Sequence, residues 1–316
     1  MHSAPRARFV DRLLKAAERT LRRLGERRAR PLNRTLQTTI TSAAAVGVTA
    51  ATVWVWQSTD LTLAELSWWP LAVAFFVAAP ASLVMRSVEY QLSARITAQK
   101  PTQYRSLNVA VISSSANLLP LPGSMIVTVR SLSEDGSTYG SALSAGAVPG
   151  LSWLSITGLV GGAALAIEGP AVLAAATIFG GLVAGIVATK LFRTTAPEER
   201  SVWLGVSIIA AEACWLLISA LRLGLAVTAL GIPIRPTQAV ALSVAGALTV
   251  AIGFFPGGLG LREALLAGLS PLVGLEFDTG VLLSSVDRLV WLSFLAIACG
   301  VVVLTRRGSH DGAADL

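Results

Sequence analysis

Cysteine, histidine and charge are all scarce in this 316-residue chain. The two cysteines, Cys214 and Cys299, stand inside apolar stretches, and the two histidines, His2 and His310, stand in polar tails. No C-x-x-C pair, metal-ligand spacing or histidine base can be assembled from them, which argues against a disulfide scaffold, a metal centre or histidine acid–base catalysis. Ser113, Ser114 and Ser115 have no acid or histidine beside them, and no G-x-S-x-G elbow occurs. The glycine-rich run Gly257-Gly258-Leu259-Gly260 lacks the Lys-Ser/Thr of a nucleotide-binding loop. Neither an enzyme nor a resident cofactor is therefore expected. Charged residues make up only 14% of the chain, too few to cover a soluble globule of this length.

What the chain has instead is long apolar runs, at 36–56, 68–85, 141–167, 171–190, 202–221 and 281–304. Each approaches or exceeds the roughly 20 residues that a helix needs to cross a ~30 Å hydrocarbon layer. Trp54, Trp56, Trp68, Trp69, Trp203 and Trp291 fall at or near the ends of these runs, where amphipathic rings favour the membrane interface. The net charge of +7 resides at the N-terminus: residues 1–34 hold eleven basic and three acidic residues, and the remainder is close to neutral. There Val10, Leu14, Ala17, Leu21 and Leu24 share one helical face and Arg12, Lys15, Arg19, Arg22, Arg23 and Arg27 fill the rest, as in a helix lying on anionic headgroups. Such a stretch just before a first span reads as a topology signal rather than a nucleic-acid site, and it is too long for the n-region of a cleaved leader. It is expected to be retained, on the cytoplasmic side.

Charge also orders the rest. The linker after the second run carries Arg86, Arg95, Lys100 and Arg105 and fits the cytoplasm. Residues 107–130 form a poor span, interrupted by Asn117, Pro120, Pro122 and Gly123. If this segment crossed, the later loop with Lys190, Arg193 and Arg200 would fall outside, so charge parity favours a hairpin that enters and turns back. The pattern recurs where the apolar 239–255 meets Pro256-Gly257-Gly258-Leu259-Gly260, with Arg262 and Glu263 opening another apolar helix. Proline and glycine suit such breaks, although they also kink ordinary spanning helices. The expected fold is an all-α polytopic membrane protein with about six spanning helices and two re-entrant helical hairpins entering from opposite faces. Matching interruptions in two halves point to an inverted repeat with a midplane site. The parts are a basic N-terminal segment (1–35), a transmembrane domain (36–304) and a short tail (305–316), with both termini cytoplasmic.

Ionisable residues in apolar runs are costly and are either functional or paired. Glu212, Arg222, Arg262, Glu263, Asp287 and Arg288 are the cases here, and Arg130 closes the first hairpin. The helix that opens after Gly260 presents free N–H groups beside Arg262, a place for a lipid phosphate. The bland alternative is that Glu263 only caps that helix while Arg262 pairs with Asp287 or Glu212; Arg288 could also snorkel to the interface.

The stretch Phe255-Pro256-Gly257-Gly258-Leu259-Gly260-Leu261-Arg262-Glu263-Ala264 resembles the P-G-G-L-G-x-R-E signature of the lysylphosphatidylglycerol synthase transmembrane (flippase-like) family. Ala220-Leu221-Arg222, Gly231-Ile232-Pro233 and Asp287-Arg288 resemble the rest of that family's C-terminal half, and Asn117-Leu118-Leu119-Pro120 resembles its N-x-L-P element. The likeness spans roughly 36–304. It departs where the family continues with G-E-x-x-R, since Gly123 is followed by Ser124, Met125 and Ile126, and Arg130 comes later. The resemblance implies movement of an anionic or polar-headed lipid, or a lipid-linked group, between leaflets of a bacterial or archaeal cell membrane. Bifunctional members add a soluble aminoacyl-transferase domain, which is not expected here.

The substrate-binding set expected from residues and resemblance together is Pro256, Gly257, Gly258, Gly260, Arg262 and Glu263. To these are added Arg222, Glu212, Asp287 and Arg288, with Asn117, Pro120 and Arg130 from the first hairpin. The two hairpins would meet near the midplane, Arg262 and Arg222 would hold the phosphate, and Glu212, Glu263 and Asp287 would balance charge, one of them taking up a proton. Expected partners are membrane lipids, with a second copy or a separately encoded envelope enzyme left open, and no nucleic acid. The alternative function is a non-transporting subunit that scaffolds or regulates an envelope lipid or glycan enzyme.

Overall fold

A computed structural model describes residues 66–117, 123–196, 201–252 and 260–311. The basic N-terminal segment, the first apolar run at 36–56, and Pro120, Pro256, Gly257 and Gly258 lie outside the described residues. The other five runs all become helices long and apolar enough to cross a membrane. They are α1 (Trp68–Ile96), α4 (Tyr139–Glu168), α5 (Ala171–Thr195), α6 (Ser201–Ala229) and α10 (Phe277–Asp311), the last of which carries its apolar span at Phe277–Val302. Phe179, Ile186, Ile209 and Leu217 are exposed in mid-helix, the inverse of a soluble surface and what a lipid solvent requires. The protein is an all-helical polytopic membrane protein.

Between these spans lie shorter helices: α2 (Gln103–Ala116) and α3 (Gly123–Glu134), then α7 (Pro236–Leu242), α8 (Val244–Ile252) and α9 (Leu261–Leu269). At 1.5 Å per residue α2 reaches only about 21 Å and α9 about 14 Å, short of a crossing. Each set turns back to the face from which it started. In the first hairpin the Arg105 guanidinium near the start of α2 meets Asp135 just past the end of α3 at 2.7 Å, and Gly123 abuts Ala116 at the other end. In the second, the Gln238 amide on α7 donates to the Val273 carbonyl beyond α9 at 2.7 Å. Gln99 does the same service for the first hairpin, donating to Leu132 O at 3.1 Å and Ser137 Oγ at 2.8 Å. A side-chain amide thus closes the mouth of both hairpins.

The hairpins enter from opposite faces. The Ser67 N–H at the start of α1 donates to the carbonyl of Ala229 at the end of α6 (3.0 Å), and Arg86 lies 4.4 Å over the Trp215 ring, so α1 and α6 run antiparallel. The first hairpin follows the end of α1, at what we term face A; the second follows the end of α6, at face B. The unit α1, hairpin, α4 and the unit α6, hairpin, α10 are therefore inverted with respect to each other, with α5 as the connector. Exposed Trp68 and Trp69 mark face B and exposed Trp203 marks face A, as interfacial rings should.

Three expectations need correction. The basic linker after the second run is mostly helix: α1 continues to Ile96 because Arg86 is neutralised by Glu89 at 2.9 Å and rests on Trp215, leaving only 97–102 as connector. Trp291 is not an end-of-run anchor but sits deep in α10 beneath Arg222. The final helix also continues through Arg306 and Arg307 to Asp311, so most of the expected tail is helical.

Close packing follows small residues. α4 and α5 touch backbone to backbone, a Cβ on Gly158 falling 2.6 Å from Gly181 Cα, so these glycines serve contacts within the chain. Pro80 removes an N–H from α1, and the helix widens into a π-turn at Ala74–Ala78 just before it. The polar side chains Ser82, Ser113, Thr177, Ser243 and Thr249 bond back to carbonyls three or four residues earlier, which satisfies them without water.

Candidate functional site

Three elements, α6, α9 and α10, bring charge together at the start of α9. The chain enters α9 at Gly260, whose φ of +80° is readily adopted only without a Cβ. The Gly260 N–H then donates to Glu263 Oε2 at 2.8 Å, the acid half of a capping box, which settles one of the free donors of the helix and favours its dipole. This cap leaves the neighbouring Arg262 directed at α10. Close approach of α9 to α10 depends on Gly280, where a Cβ would fall 2.6 Å from Ala267 Cα and 2.8 Å from Leu266 O.

Asp287 is the centre of the cluster. Its Oδ2 accepts from Arg262 Nη2 at 2.6 Å, and its Oδ1 accepts from Arg222 Nη2 at 2.8 Å and Nε at 3.0 Å. Arg222 reaches across from α6, lies 5.0 Å over the Trp291 ring and extends Nη1 to Ser82 Oγ of α1 at 3.4 Å. Arg288, next to Asp287, pairs with the other oxygen of Glu263. Three guanidiniums and two carboxylates thus leave one excess positive charge. Pairing makes their burial tolerable, because a charge deprived of its partner at this depth would carry an uncompensated desolvation cost. The Arg262 side chain is 28% exposed against 12% for Arg222 and 2% for Asp287, so Arg262 is the most accessible cation of the cluster.

Six of the expected residues therefore assemble: Arg222, Gly260, Arg262, Glu263, Asp287 and Arg288. Glu212 does not join them. It lies on α6 about 15 Å below Arg222 along the helix axis, buried beside Arg86 and Glu89 of α1. Asn117 is exposed at the end of α2. Arg130 is exposed too, and pairs along its own helix with Glu134 at 2.9 Å, away from the cluster.

Nor do the described helices of the two hairpins pack on each other. Both pack on α10, α9 around Gly280 and Asp287 and α2 through Ser115, whose hydroxyl lies 2.9 Å from Cys299 Sγ, about 18 Å further along α10.

Comparison with known proteins adds no identity. No family model, curated protein or solved structure matches this chain.

Ser82 and Trp291 are the cluster members that residue reading missed as site residues. Ser82 is one hydroxyl among many in an apolar run and carried no signal. Trp291 did: it stands three residues after Arg288, and an aromatic one turn from a buried charged pair is a candidate cation–π partner.

Proposed function

We propose that this protein moves a phosphate-bearing lipid headgroup between the leaflets of a cell membrane. The observation that carries the reading is the bridging of Asp287 by Arg222 and Arg262 at the broken-helix end of a hairpin, in a cluster with one excess positive charge. A lipid phosphate approaching Arg262 competes with Asp287 for the same N–H donors. Arg222 remains on Asp287 as Arg262 changes partner, so no carboxylate is left bare while the headgroup is held. The free N–H groups of the α9 first turn add to the attraction, and the acyl chains remain in lipid.

Opposed hairpins suit this task, since each end of an inverted repeat can open to one leaflet in turn. The resemblance of 255–264 to the flippase-like signature supports the same reading. The positive-inside rule supports a cytoplasmic face A, which carries Arg95, Lys100, Lys190 and Arg193, and cytoplasmic termini in a prokaryotic cell.

The test is headgroup accessibility in proteoliposomes containing fluorescent phospholipid, with dithionite bleaching the outer leaflet. The natural protein is expected to allow bleaching beyond the half seen in protein-free vesicles, and Arg262→Ala to abolish that excess while inserting normally. Protection of anionic and neutral lipids alike by the natural protein would refute transport.

A second reading has its own support. Every guanidinium of the cluster already meets a carboxylate, which is what a static pin between helices requires in a subunit that scaffolds an envelope enzyme. In that case Arg262→Ala would release a co-purifying partner and leave lipid accessibility unchanged.

A further inference from the structure

Seven arginines of the described residues meet a carboxylate. Four exposed cations whose side chains are described form no such pair: Arg95, Lys100, Lys190 and Arg193. All four lie at face A, where α1 and α5 end and α6 begins. Two of them, Arg95 and Lys100, line a cavity of about 540 Å³ between the end of α1 and the first two turns of α6. Gln91 and Gln99 complete its α1 side, and Trp203 and Ser207 stand on α6.

We propose that this cavity binds the headgroup of an anionic glycerophospholipid, at a site separate from the Asp287 cluster and independent of the transport reading. Two unpaired cations suit a phosphodiester, and the neutral amide and hydroxyl of Gln91 and Ser207 suit the hydroxyls of a glycerol-type head. Trp203 is 80% exposed at the start of a spanning helix, the depth at which an indole favours the interface. Val202 and Val206 flank it on the adjacent face of α6, 74% and 51% exposed, an apolar surface for acyl chains. A free phosphate ion would use the cations and leave that surface idle; an amphiphile uses both. Ser207 lies about 22 Å from Arg222 along α6, so a headgroup held here does not touch the cluster. Gln99, in the cavity wall, also ties the mouth of the first hairpin through Leu132 and Ser137, which puts the bound headgroup against that hairpin's base.

Native mass spectrometry of the full chain in neutral detergent, titrated with phosphatidylglycerol or phosphatidylcholine, tests the assignment. The titration is made in Arg262→Ala, which removes the headgroup contact proposed at the cluster; there phosphatidylglycerol is still expected to bind, and Lys190→Gln/Arg193→Gln to leave that binding unchanged. Arg95→Gln/Lys100→Gln is expected to bind it roughly thirtyfold more weakly, as two cations at an anionic headgroup imply. Should that double variant fail to elute as folded protein, Lys100→Gln alone, at an exposed position, is expected to show about a fivefold loss. Unchanged binding by the cavity variants, equal retention of phosphatidylcholine, or equally tight binding of inorganic phosphate would each overturn the assignment, the last by showing a soluble anion site.

Discussion

The two inverted halves share a backbone plan and differ in chemistry. Each is a long helix, a hairpin closed at its mouth by a glutamine, and a second long helix. Ten residues into the closing helix the second half has Asp287 and Arg288; ten residues into its counterpart, α4, the first half has Pro149 and Gly150. After its break the second hairpin begins Leu261-Arg262-Glu263, whereas the first begins Gly123-Ser124-Met125. The bridged Asp287 cluster is thus confined to one half, where each ion supplies the partner that another needs. The first half is free to pack through small residues instead. Duplication of a fold therefore does not duplicate a site, because a single unmatched ion at membrane depth is less tolerable than none.

The largest test of this contrast is Asp287→Asn. It leaves Arg222 and Arg262 without their shared counter-charge and is expected to cost about 3–5 kcal/mol, read as a fall in thermal unfolding temperature in detergent. Stability equal to the natural protein would remove the distinction between the halves. Next comes Gly280→Val, which puts a branched side chain where α9 backbone already lies. A loss of about 1–3 kcal/mol is expected, together with weaker lipid movement, because Arg262 is drawn away from Asp287. Unchanged stability there would mean that α9 is not seated on α10 as described. The smallest effect sharpens the comparison from the other side. Arg130→Ala removes only an exposed i,i+4 pair on the first hairpin, so less than about 0.5 kcal/mol should be lost and transport should persist. A transport defect in Arg130→Ala would restore the first half to the site.

Much of this was legible in residues alone. Run lengths marked the five described spans, since a helix must cover a set thickness of hydrocarbon. The clusters around Pro120 to Gly123 and Pro256 to Gly260 marked the hairpins, because few other residues interrupt apolar helices so sharply. The same reasoning stopped α1 too early, at Arg86: a cation looks like a boundary until Glu89 and Trp215 are seen to shelter it. It also grouped Glu212 with the other acids, since depth in an apolar run says nothing about which neighbour a side chain will meet.

The sequence by itself determined that this chain lives in a membrane, where its helices break and which ionisable residues must find partners. These follow from local composition, hydrophobic length and the cost of bare charge, which need no knowledge of neighbours. Only the tertiary structure decided the pairing: Asp287 took Arg222 from 65 residues away and Arg262 from 25, while Glu212 was left beside Arg86 and Glu89. The physical reason is that partner choice depends on helix direction, on rotation about each axis and on the distance of approach. Those were set by the antiparallel seating of α1 on α6 and by the backbone contact at Gly280, neither of which any single segment encodes.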